Sequence, residues 1–103
     1  MLVKPATFEL CKEVGLEIKS KPSQSFLAKL LRDLWKLQVY AYSSTKNGVG
    51  NWRDYVAYIN GEAQNDARDE EFQTYESAME YGLRKALLKL KASIDAERKR
   101  LSE

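Results

Sequence analysis

Three groups of residues carry side chains able to do chemistry. Cys11 is the single cysteine of the chain. A thiol attacks as its thiolate, and a neighbouring histidine is the usual base. The sequence has no histidine, so Cys11 lacks that partner. It shares a three-residue spacing with Phe8 and Val14, which places it on an apolar helical stripe and predicts a buried structural thiol. Asp66, Asp69, Glu70 and Glu71 form an acidic group suited to a hard cation. A calcium loop needs acids at alternating positions, a central glycine and a distal glutamate. That spacing is missing and Arg68 sits inside the group, so a solvated acidic loop is expected. Asn47-Gly48-Val49-Gly50-Asn51 is rich in glycine, as phosphate-cradling loops are. Those loops open a helix and carry a Lys-Ser/Thr pair. Here the next element reads as a strand, and a hairpin loop is expected.

The missing histidine removes the commonest general base and the commonest transition-metal ligand. With one cysteine as well, a structural zinc site cannot be assembled from this chain alone. The sequence therefore assigns no catalytic, cofactor-binding or metal-ligating residue, and a protein that is not an enzyme is expected.

A fourth group is aromatic. Tyr40, Tyr42, Trp52, Tyr55 and Tyr58 fall on two candidate strands. Helices can cover one face of a small sheet, so some of these rings should remain accessible. Exposed sheet aromatics stack single-stranded bases in several folds, and elsewhere they form cross-strand pairs or protein contacts. Tyr40, Tyr42, Tyr55 and Tyr58 are the candidate interaction surface on the sheet.

The elements that must position these groups follow from periodicity and punctuation. Pro5–Val14 reads as a short helix with proline at its first position and Gly15 just past its end. Leu16 to Ile18 alternates briefly as an extended piece. Pro22 breaks the chain, and Ser23 caps a second helix over residues 24–36. Phe26, Leu27, Leu30, Leu31, Leu34 and Trp35 give that helix a wide apolar face, with Leu30 at its middle. Leu37–Ser43 and Trp52–Ile59 read as strands, with Asn47-Gly48 and Asn60-Gly61 as turn signals. Residues 62–69 read as a polar loop and residues 70–73 as a short third strand. Thr74 caps a long helix from Tyr75 to about Lys99. Met79, Leu83, Ala86, Leu87, Leu90 and Ile94 form its stripe, and Gly82 inside that stripe predicts a close helix–sheet contact. The order α-α-β-β-(β)-α predicts an α+β fold: helices packed on one face of a two- or three-stranded antiparallel meander.

A chain of 103 residues is one domain on length, with residues 92–103 a charged helical extension or frayed tail. The net charge of +2 is unevenly spread: residues 1–48 carry +4, residues 49–80 carry −6 and residues 81–103 carry +4. No apolar run approaches the ~18 residues of a membrane span, so no membrane contact is expected. The N-terminus shows no apolar signal core, and cysteine is scarce. Cytoplasmic residence is the expectation.

Ser23-Gln24-Ser25-Phe26-Leu27-Ala28-Lys29-Leu30-Leu31-Arg32 and Thr74-Tyr75-Glu76-Ser77-Ala78-Met79-Glu80-Tyr81-Gly82-Leu83 resemble patterns in short uncharacterised proteins of gut commensal bacteria, often associated with phage or mobile elements. That resemblance implies no activity and no site residues. In topology, residues 23–90 are similar to a double-stranded-RNA-binding domain. The family places phosphate-binding lysines at the start of its last helix, where this chain has Thr74, Tyr75, Glu76, Ser77 and Ala78. Acids there oppose phosphate binding. The expected function is a small non-catalytic accessory protein acting through a protein partner or through its own copy as a homodimer. Leu83, Leu87, Leu90, Ile94 and Leu101 are spaced as a short heptad seam, which adds Ile94 and Leu101 to the candidate interaction surface. The alternative is a nucleic-acid-binding domain using the sheet aromatics and the basic ends.

Overall fold

The computed structural model of the chain describes residues 1–43, 55–64 and 74–102. The elements run α1 (Pro5–Glu13), α2 (Gln24–Trp35), β1 (Val39–Ser43), β2 (Tyr55–Ile59), β3 (Glu62–Ala63) and α3 (Tyr75–Leu101). The strands form one antiparallel sheet in the order β1-β2-β3, and α2 and α3 pack against it. The fold is α+β, as the alternation and punctuation of the sequence require.

Local chemistry sets the ends of each element. Pro5 opens α1. Past its end, Gly15 takes φ +88° and the Leu16 N–H donates to the Cys11 carbonyl at 3.0 Å. The Ser23 hydroxyl accepts from the Phe26 N–H at 3.1 Å, and the Thr74 hydroxyl from the Ser77 N–H at 3.1 Å, so both expected caps form. Helix α2 stops one residue short of the reading from sequence. Lys36 takes a left-handed conformation at φ 57°, and the Leu37 N–H reaches back to the Leu31 carbonyl at 3.1 Å. That turn aims the chain directly into β1.

The third strand differs from expectation. It lies at Glu62–Ala63, within the stretch read as a loop, while the expected strand at residues 70–73 lies outside the described residues. The cause is the Asn60-Gly61 turn. Both residues have positive φ, 50° and 88°, the signature of the tightest hairpin, so Glu62 and Ala63 fold back onto Ile59 and Tyr58. Two exposed residues carry no hydrophobic alternation, so only the turn revealed them. The Asn47-Gly48 turn, Trp52 and the acidic group at residues 66–71 also lie outside the described residues.

The core is the layer between the sheet and the helices. Val39, Ala41, Ala57 and Ile59 face it from the strands. Leu27 and Leu31 enter from α2, Met79, Leu83, Ala86 and Leu87 from α3, and Cys11 and Val14 from the α1 end. Helix α1 packs on α3, and its Cys11 joins the same apolar cluster as Val39, Ala41 and Ile59. The axis of α2 is rotated relative to the expected face: Leu27 and Leu31 are fully buried, Leu30 is half-buried, and Phe26 and Leu34 are more than half exposed. Gly82 sits where α3 crosses the sheet. A Cβ there would lie 2.9 Å from Val39 Cγ1 and 3.2 Å from Ala57 Cβ, which is the close approach the glycine predicts.

Three polar residues are buried as well, Thr7, Gln24 and Glu80, and they bond to one another. Glu80 is 5% exposed, and its Oε2 accepts from the Lys4 N–H at 3.1 Å and from the Thr7 hydroxyl. Its Oε1 accepts from Gln24 Nε2 at 3.1 Å, and the same Nε2 donates to the Glu76 carbonyl at 2.9 Å. Lys4 caps α1 without a side-chain hydrogen bond of its own. Glu80 instead accepts the N–H of the cap residue itself from α3, and places a negative charge at the positive end of the α1 dipole. It thereby ties α1, α2 and α3 together at one point.

Candidate interaction surface

The sheet register decides which aromatics share a face. Tyr40 pairs with Tyr58, Tyr42 with Val56, and Ser43 with Tyr55. Successive side chains alternate across a strand, so Tyr40, Tyr42, Val56 and Tyr58 lie on the face away from α3. Tyr40 and Tyr58 stack, with centroids 5.4 Å apart and planes 9° apart. Tyr42 meets both edge-on, at 5.2 Å from Tyr40 and 6.0 Å from Tyr58. Such geometries suit the ring quadrupoles and hold the three rings as one patch. Tyr42 is 64% exposed, and Tyr40 and Tyr58 are half-buried.

Tyr55 does not join them. It lies on the inner face with Ala57 and Ile59, packs against the edge of the core and meets Tyr75 at 6.1 Å in an edge-on contact. Ile94 and Leu101 belong elsewhere again. Ile94 is half-buried on α3, in a notch of about 270 Å³ shared with Trp35 and Leu90. Leu101, at the helix end, is 76% exposed. The six candidate residues thus divide into a tyrosine patch of three, one inner-face ring and two positions along the last helix.

Beside the tyrosines runs a groove that sequence periodicity did not indicate. It has a volume of about 470 Å³, with Ser25, Lys29 and Arg32 of α2 on one wall and Gln38, Tyr40 and Tyr42 on the other. Lys29 and Arg32 are one helical turn apart and exposed, and Arg32 holds Asp33 at 3.4 Å. The signal existed in the sequence as two cations on the polar face of α2. Their place beside the strand depends on how α2 docks, which no local pattern encodes.

Cys11 offers no reactive centre. It is fully buried, and burial pushes its thiol up to about 11, with the nearby Glu80 carboxylate adding to the rise. Among the described residues no group of three histidine, cysteine or acidic side chains could hold a metal ion, and no helix is long and apolar enough to cross a membrane. No protein-family model, curated protein or solved structure matches the chain.

Proposed function

We propose that the chain is a non-catalytic binding protein that docks a protein partner on the tyrosine face of its sheet. The observation that carries this reading is the Tyr40–Tyr42–Tyr58 patch on the sheet face away from α3, flanked along one side by α2. Tyrosine supplies large amphipathic contact area at low conformational cost, which is why it concentrates at interfaces. A cytoplasmic accessory role accords with a chain whose one thiol is buried and inert. The test uses the full chain as bait in its native host, compared with a Tyr42→Ser/Tyr58→Ser bait. A partner retained by the first and lost by the second, then measured with purified components, supports the reading. A partner retained equally by both overturns it.

Nucleic-acid binding is the second reading, favoured by Lys29 and Arg32 beside the aromatic patch. It predicts affinity that falls steeply with salt. Sub-micromolar, sequence-selective binding at physiological salt would replace the protein-docking reading.

A further inference from the structure

We infer that the partner enters as an extended, acidic peptide segment that adds a strand to the free edge of β1. This inference rests on the protein-docking reading and specifies its mode.

Among the described strands, the sheet order leaves β1 at one edge. The Asn60 N–H donates to the Gln38 carbonyl at 2.9 Å, which marks Gln38 as turned toward β2. In an antiparallel ladder this orientation alternates, so Tyr40 and Tyr42 also turn their backbone groups to β2. Val39 and Ala41 turn theirs the other way, and no protein hydrogen bond among the described residues reaches those groups. Both residues are under 10% exposed, and unpaired polar backbone in so enclosed a place is uncommon. The groove between α2 and β1 is lined by Val39, with Gln38, Tyr40 and Tyr42 beside it, and Ala41 continues the same edge one step along the strand.

Three features select the occupant. The edge offers N–H and C=O groups together, which a second strand matches in both senses, whereas a phosphate backbone only accepts. Lys29 and Arg32 line the opposite wall, so acidic side chains on the incoming strand find cations within the groove. Tyr40 and Tyr42 flank the edge on its open face and provide the apolar contact that backbone pairing alone lacks. A second copy of this chain fits less well, because pairing two β1 edges would bring two Lys29–Arg32 walls together and set like charges against each other.

The test selects binders from a displayed library of random peptides about twelve residues long, using the immobilised full chain, and measures the synthesised peptides in solution by fluorescence anisotropy. Acidic residues should be enriched at alternate positions. Affinity should fall at least about ten-fold for Lys29→Glu/Arg32→Glu. Ala41→Pro should have a similar effect, because it removes an outward N–H and spares the β1–β2 ladder. If Ala41→Pro fails to fold, methylating alternate peptide amides gives the same readout, with loss recurring at every second position. Failure to enrich any peptide overturns the inference, as does binding indifferent to the charge reversal and to the backbone changes. Displacement of the peptide by an oligothymidine probe, or a dimer of the full chain abolished by Lys29→Glu/Arg32→Glu, also overturns it in favour of another occupant. Peptides sensitive to Tyr42→Ser and indifferent to the backbone changes would overturn strand addition while leaving the tyrosine-face reading intact.

Discussion

Cys11 and Gly82 are the residues at which one atom decides the outcome. The Cys11 thiol titrates near 11 in the folded chain against an ordinary value of 9.0. The folded state therefore holds its proton more tightly than the unfolded state does. The resulting stability is fully present below pH 9 and is lost as the pH rises toward 11. The loss should reach roughly 2–3 kcal/mol. Denaturant melts of the native chain and of Cys11→Ala across this range should diverge, with only the native chain losing that increment. Gly82→Ala sets a helix-propensity gain of about 1 kcal/mol against overpacking of about 1–3 kcal/mol. The neighbours are a branched Val39 methyl and the Ala57 Cβ, which have little room to give, so we expect a net loss of about 1–2 kcal/mol in the same melt. A gain would show that the sheet yields at this point. Both residues were legible in the sequence, one as a thiol on an apolar stripe and the other as a glycine inside a helical stripe. Glu80 was not. A single acid in a helix reads as solvated, and its partners Lys4, Thr7 and Gln24 are between 56 and 76 positions away in the chain.

Helix α2 shows how an element can be found while its orientation is missed. Its six apolar residues span so wide an arc that periodicity cannot place the centre. The structure centres it on Leu27 and Leu31 and leaves Leu30 at the flank. Leu31→Ala should cost about 2–5 kcal/mol, and Leu30→Ala distinctly less. Equal losses in a urea titration would contradict this docking angle. The strands repeat the lesson. Their alternation was legible, but pooling the tyrosines of two strands overlooked parity. Tyr58 and Tyr55 are three residues apart on β2 and must point to opposite faces, as the register confirms. The edge position of β1 among the described strands could not be read at all, because it depends on which strands pair and not on any local pattern.

For the molecule as a whole, α3 sets the long axis. Its 27 residues extend about 40 Å, while a five-residue strand covers about 17 Å, so the last turns run past the sheet. Ile94 is the last half-buried side chain, and residues 95–102 are all exposed. A chain ending at Asp95 should therefore melt within a few degrees of the full chain, by about the shift that less than 1 kcal/mol produces. A larger drop would mean that the end of α3 is packed against something, with a second copy the first candidate and light scattering the check. Segregated charge gives the same picture: the cations of α2 stand beside the tyrosine face, so that surface also has the field to attract an acidic partner. On the proposed reading, this face is where the molecule docks its partner. The most direct measurement is a nuclear magnetic resonance titration of the labelled full chain with its captured, purified partner. The largest shifts should fall on the rings of Tyr40, Tyr42 and Tyr58 and on the amides of β1, while Lys89 and Ser93 on the exposed side of α3 stay still. Shifts centred on Trp35, Leu90 and Ile94, with the three tyrosines unmoved, would contradict it.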